Sequence, residues 1–183
     1  MKTFPALLAT LLATVALSAA AQSPNDAQIA AIVVTANQVD IDAGKLAESK
    51  STNKDVQAFG KMMVTDHTGV NKAATDLAGK LKLTPEDNAT AQSLKKGGDD
   101  NVANLKTLSG AAFDKAYVDH EVAYHQQVID AMDKTLIPSA RNAELKALLV
   151  KVRPAFVAHL EHAKSLQGAL QKKAAASHAH PAA

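Results

Sequence analysis

The chain has 183 residues, a formal charge of +2 and no cysteine. Lys and Arg (20) nearly balance Asp and Glu (18), and aromatics make up 3%, which leaves neither the basic stripe nor the stacking platform of a nucleic-acid binder. Without cysteine there is no disulfide, no thiolate chemistry and no lipid-bearing cysteine, so the fold must stand on its core alone.

Residues 1–21 read as a signal peptide. Met1-Lys2 is a short basic start, residues 4–16 are an apolar run, and Ala19 and Ala21 form the small-x-small pattern of a signal-peptidase site. The alternative, an N-terminal membrane anchor, wants a longer run with fewer small residues. The expectation is therefore a periplasmic or otherwise exported protein that begins at Gln22 and has no membrane span in its mature part.

From 22 to 172 the apolar periodicity is helical nearly throughout, and no segment alternates like a strand. A first helix opens at Ser23-Pro24, carries the stripe Ile29, Ile32, Val33, Ala36, Val39, Ala43, Leu46, and ends near Lys50. Asp40 lies at the edge of that stripe. A second helix opens near Thr52, with Asp55 three residues on as a weak capping box. It carries Val56, Phe59, Met63, Val70, Ala73, Leu77 and Leu81 and ends before Pro85; its missing heptad position falls on Asp66, beside His67. Residues 84–109 connect two halves. Thr84-Pro85-Glu86-Asp87 predicts a helix start, Gly97-Gly98 a break, and Val102, Leu105 and Leu108 a further brief turn. A third helix spans about 111–134, with Val118, Val122, His125, Ile129 and Met132 in line, and turns at Ile137-Pro138-Ser139. A fourth spans about 140–172, with the stripe Leu145, Leu148, Val152, Phe156, His159, Ala163, Leu166, Leu170; Pro154 inside it predicts a kink. Residues 173–183 read as a disordered, solvated Ala/His tail, in which His178 and His180 make a poor specific metal site.

Two short turns, at 50–53 and 135–139, make two antiparallel hairpins, and a long connection joins them. The expected fold is all-α: a ferritin-like four-helix bundle with a long crossover connection containing a short helix. An up-down-up-down bundle would need a short middle loop.

His67, His125 and His159 each stand mid-helix on or beside an apolar stripe. Burying polar groups is costly unless something satisfies them, so the pattern asks for a hydrogen-bond network or a metal centre. Imidazole suits zinc, copper, iron and nickel, and carboxylate suits harder ions. The metal candidates are Asp40, Asp66, His67, Glu121, His125 and His159. Glu121 and His125 are four apart on one face, and His162 is three beyond His159. Taking the first and fourth helices as up and the others as down, at about 1.5 Å per residue, puts Asp40, His67 and Glu121 within roughly 2 Å of one height. His159 then falls about 6–8 Å above, near Tyr117 and Asp114, and His125 about 6 Å below. The arithmetic predicts a polar seam whose one layer is Asp40, Asp66, His67 and Glu121.

Each residue also has a plainer reading. Asp40 can pair with a Lys at the stripe edge, and Asp66 can orient the His67 ring. A lone His125 or His159 is more often a satisfied core histidine than a ligand. Tyr117 packs its ring and ties its hydroxyl, His120 and His162 suit the surface, and Met62 and Met63 fill core. A di-iron motif is not matched: Met63 or Val64 stands where the second helix needs an acid, and Phe156 stands three before His159. No nucleophile constellation or phosphate loop is present, so no reaction is assigned. A metal centre requires three of the candidate atoms to converge to within roughly 4 Å. Histidines bonding separately to backbone or carboxylates would mark a network.

The elements Asp40-Ile41-x-x-Gly44-x-Leu46-Ala47, Met63-Val64-x-Asp66-His67, Phe113-Asp114-x-x-Tyr117, His125, and Pro154 followed by His159 occur in that order. Over about residues 29–166 the chain resembles the bacterial domain of unknown function 4142 family, often labelled outer-membrane or periplasmic. The resemblance implies an exported ferritin-like bundle, with outer-membrane association at most, and makes Asp40, Asp66, His67, Tyr117, His125 and His159 the family's polar positions. The family commonly has Glu where this chain has Asp40. The resemblance implies no activity, and no alternating barrel strands are present. Two readings follow. In one, a transition-metal ion binds a buried His/carboxylate cluster. In the other, a metal-free envelope-stress or interaction protein, partnered by an envelope protein or a second copy, uses the same residues with Asp114 and Tyr117 as a structural network.

Overall fold

Asparagine opens four of the long helices in the computed structural model, which describes residues 23–179. Helix α1 (Asp26–Lys50) starts after Asn25, whose side chain accepts from the Gln28 N–H at 2.9 Å while Gln28 Oε1 accepts from the Asn25 N–H at 3.1 Å. This reciprocal box satisfies two helix-end donors at once and sets the start beyond the expected Ser23-Pro24. Helix α2 (Lys54–Lys80) is capped by Asn53 rather than Thr52. Helix α3 (Ala89–Thr107) is capped by Asn88, four residues after Thr84. Helix α4 (Gly110–Ala131) follows a tight corner made by Gly110 at φ +55°, a conformation open to glycine.

After α4 the chain widens into a π-helical turn (Met132–Leu136) and a single turn, α5 (Ile137–Ser139). The reversal comes at 140–142, not at Ile137-Pro138-Ser139. Pro138 sits in the first turn of α5, where its missing N–H costs little, and the widened turn before it relieves the clash of its ring with an earlier carbonyl. Helix α6 (Ala143–Ala179) opens on Asn142, whose Oδ1 accepts from the N–H groups of Glu144 and Leu145. It contains Pro154 and extends past 172. The segment read as a signal peptide and the side chains of His178 and His180 lie outside what is described.

Residues 84–109 hold one continuous 19-residue helix, not a short helix broken at Gly97-Gly98. Glu86 N–H donates to Ala27 O, and Lys50 Nζ donates to Leu105 O, so α3 runs alongside α1 from its start to its end. It thereby returns the chain to the end where α4 begins. Asp26 accepts from the N–H groups of Arg141 and Asn142, bringing the far end of the α4 segment back to the start of α1. Helix α1 packs on α2, α3 and α4, and α6 packs on α2 and α4. Among the described residues there is no strand, and no helix is long and apolar enough to cross a membrane.

The core falls into two apolar blocks. One gathers Ile32, Val33, Val128, Leu149 and Phe156 near the start of α1. The other gathers Ala47, Phe59, Met63, Phe113, Tyr117 and Ala163 near its end. Asp40, Asp66, His67 and Glu121 fall between them in sequence, and His125 and His159 lie at the edge of the first block, beside Tyr124 and Leu160. Gly44 of α1 and Gly60 of α2 bring two backbones together here: a Cβ on Gly60 would stand 2.7 Å from Gly44 O. That approach sets α1 and α2 close enough for Asp40 and His67 to meet.

Candidate metal centre

His67, His125 and His159 come from α2, α4 and α6, and none is more than 4% exposed. Their ring centroids are 5.6 Å (His67–His125), 5.2 Å (His67–His159) and 5.5 Å (His125–His159) apart. Each ring commits one nitrogen to an acceptor. Asn37 Nδ2 donates to Val33 O at 2.8 Å, which turns the Asn37 Oδ1 toward His67 Nδ1 at 2.7 Å. His125 Nδ1 lies 3.0 Å from the Glu121 carbonyl oxygen. His159 Nε2 lies 2.9 Å from Asp66 Oδ2. A carbonyl, an amide oxygen and a carboxylate can only accept here, so these three nitrogens carry the ring protons. The other three, His67 Nε2, His125 Nε2 and His159 Nδ1, are buried lone pairs with no protein hydrogen-bond partner.

Burial, with the nearness of His125 and His159, lowers the His67 pKa to about 2. Burial and His159 lower that of His125 to about 4. Both rings are therefore neutral at physiological pH, the form that ligates metals. One ligand atom from each of the three histidines lies within 4.8 Å of the others. The nitrogens of a tetrahedral site with bonds of 2.0–2.1 Å stand about 3.4 Å apart, so closing on an ion requires ring shifts of at most about 1 Å.

Two carboxyl groups back the rings. Asp40 Oδ2 is 3.5 Å from His67 Nδ1, and Glu121 Oε2 is 3.4 Å from His125 Nδ1. Asp40, Glu121 and His125 form a second group whose ligand atoms lie within 4.8 Å. Burial, then the charge of Glu121, pushes Asp40 well above the usual carboxylate range, and burial lifts Glu121 to about 8. Two facing carboxyls in a low-dielectric site do not both ionise readily, so the pair retains a proton at neutral pH. The Tyr117 hydroxyl is buried without a protein partner. Its phenol is pushed up by burial and by the charges of Glu121 and Asp40.

The height arithmetic fails for the histidines. His125 and His159, expected on opposite sides of the layer, join His67 in one cluster: several helix starts lie a few residues from where the count put them, and imidazole rings reach along the axis. Asp66 is not in the inner layer. It is exposed on the outer face of α2 and holds His159 from outside. Asp114 accepts from Ser51 Oγ at 2.5 Å at the α1–α2 turn, a contact apart from the histidines. Tyr117 packs against Phe59 and Phe113. His162 is exposed, with its ring edge on Phe59, and His120 stacks on Tyr124. Separate bonding and clustering, set against each other above, occur together: each ring bonds an acceptor of its own, while the three group within 4.8 Å, a looser bound than the roughly 4 Å asked of a metal centre.

Two members of the site were not read from the sequence. Asn37 is 1% exposed and holds His67. A polar amide one turn before Asp40 on the apolar stripe was the available signal. Phe156 packs against all three imidazoles, at 5.0, 6.1 and 6.2 Å between centroids.

A family model described as "Domain of unknown function (DUF4142)" matches residues 12–166. No curated protein and no solved structure gives a match.

Proposed function

The chain belongs to the DUF4142 family, and we propose that it is an exported helical-bundle protein that binds one transition-metal ion through His67, His125 and His159, with Asp40 and Glu121 as the adjoining counter-charge. In this reading α1, α2, α4 and α6 form a ferritin-like four-helix bundle and α3 lies in its crossover connection. The observation that carries the metal reading is the set of three buried lone pairs. Each imidazole donates its other N–H to a fixed acceptor, respectively Asn37, the Glu121 carbonyl and Asp66. Metal-binding histidines are oriented by such outer partners. Three buried nitrogens without a hydrogen-bond partner, on rings grouped within one cluster, leave desolvated lone pairs that a cation would satisfy. Three imidazoles with an open fourth position suit zinc, copper, nickel or iron.

Metal analysis of the purified protein tests this, with His67→Ala and His159→Ala alongside. The expected result is about one bound equivalent in the wild type, its loss in both variants, and a rise in Tm when metal is returned to chelated wild type. A wild type that carries no stoichiometric metal and gains no thermal stability from Zn2+, Cu2+, Ni2+, Co2+ or Fe2+ would end the metal reading.

A second reading, a metal-free envelope-stress or interaction protein, is favoured by one specific observation. Every imidazole already has an acceptor, and the Asp40–Glu121 pair is close enough to share a proton, so the layer can serve as a structural network. In that case His67→Ala would lower Tm by the same amount with and without chelator.

A further inference from the structure

An apolar cavity of about 200 Å³ lies against the histidine cluster on the side of the first core block. Val33, Val128, Leu136, Leu149 and Phe156 are among its walls, and Asn37 lines it as well. No lining residue carries a charge; the polar ones besides Asn37 are Thr90, Gln127 and Thr135. Asn37 has its oxygen committed to His67 and one amide N–H to Val33 O, so it offers a ligand little. The cleft opens to solvent past the exposed Thr90, Gln127 and Thr135, and its apolar walls favour a benzene-sized molecule over water. A second observation falls at the same place. The π-helical turn Met132–Leu136 supplies Met132, Thr135 and Leu136 to the wall, and such turns recur at functional sites.

We propose that this cavity is a binding site for a small, neutral, apolar molecule, held with Phe156 as the partition between it and the three imidazoles. The Phe156 ring is at once a wall of the cavity and a neighbour of His67, His125 and His159. A molecule in the cleft therefore presses on a side chain that touches every ring of the cluster. The link to a metal rests on the proposed function above, whereas occupancy of the cavity does not.

Toluene serves as the probe and benzoate as its charged counterpart. With the metal-free protein, toluene should shift the amide resonances of Val33, Val128, Leu136 and Leu149 saturably and raise Tm, and benzoate should do neither. Ala131→Phe, which fills the cavity from α4, should abolish the shifts without lowering Tm. Thr135→Trp, at the exposed rim, serves if the first variant folds poorly. With Co2+ bound, toluene should also perturb the visible Co2+ spectrum. No amide shift up to the solubility limit of toluene, or equal shifts from benzoate, overturns the proposal even if Co2+ binds. Saturable toluene shifts in a protein that takes up no Co2+ leave the cavity site standing and remove the metal reading alone.

Discussion

At the scale of single residues the site depends on groups that orient the imidazoles as much as on the imidazoles. Asn37 shows this most clearly, since its bond to Val33 O decides which atom His67 sees. Asn37→Leu should leave the His67 N–H with only the longer, 3.5 Å approach to Asp40 Oδ2, at a cost of about 1–3 kcal/mol in denaturant unfolding. It should also weaken metal binding about 10–100-fold, the usual effect of losing an outer partner. Asn37→Asp keeps an acceptor and should retain most of the affinity; equal losses in the two variants would argue against the orienting role. His67, His125, His159, Asp40 and Glu121 were legible in the sequence because a polar side chain inside an apolar stripe is conspicuous. Asn37 was passed over for its neutral amide. Asp66 was set inward because it filled a gap in the stripe, although one residue's rotation, about 100°, separates it from His67.

At the scale of elements, the glycines mark where helices touch, and here the sequence was harder to read. Gly97-Gly98 looked like a break because two adjacent glycines weaken a helix. The helix continues because the two have different surroundings: a Cβ on Gly98 would stand 2.6 Å from a Val39 methyl of α1, whereas one on Gly97 meets nothing within 4 Å. Gly98 thus lets α3 seat on α1, a contact between distant segments that no local pattern carries. The prediction is a sign difference. Gly97→Ala should stabilise by about 0.5–1 kcal/mol, and Gly98→Ala should destabilise by about 1–3 kcal/mol through overpacking; chemical denaturation reads both. Gly60→Ala should behave like Gly98→Ala and in addition move α2 off α1, separating His67 from Asp40, so it should lower metal affinity where Gly98→Ala does not. Four of the five long helices, α1, α2, α4 and α6, were legible in approximate extent from apolar period alone; α3 was not. Their starts were not, because Ser-Pro and Thr-Pro compete with asparagine as start signals and the side-chain bond decides.

At the scale of the whole molecule, the buried layer should leave a signature in how metal-free stability depends on pH, because its members are displaced in opposite directions. Burial lowers His67, His125 and His120, and burial raises Asp40 and Glu121. As pH falls below about 6.5, unfolded histidines take up protons that the folded ones refuse. Stability therefore drops on the acid side, through about 4 for His125 and about 2 for His67. As pH rises above about 4.5, the unfolded carboxyls release protons that the folded pair keeps. Stability therefore drops on the alkaline side until Glu121 ionises near 8. Between about 4.5 and 6.5 the two slopes oppose each other, so chelated protein should be most stable there and weaker at both pH 3.5 and pH 8. Each limb has its own variant: Glu121→Gln removes a titrating carboxyl and should flatten the alkaline limb, and His125→Gln should flatten the acid limb. Urea midpoints from pH 3.5 to 8.5 in the presence of chelator decide the matter. Stability that keeps rising from pH 5 to 8 would mean that Asp40 and Glu121 ionise freely in the folded protein, and that the protein interior around them is already positive enough to hold two charges. A bound divalent cation would supply that positive charge, so returning metal should lift the pH 8 midpoint more than the pH 6 midpoint. That difference ties the proton-holding carboxyls to the histidine face of the same layer.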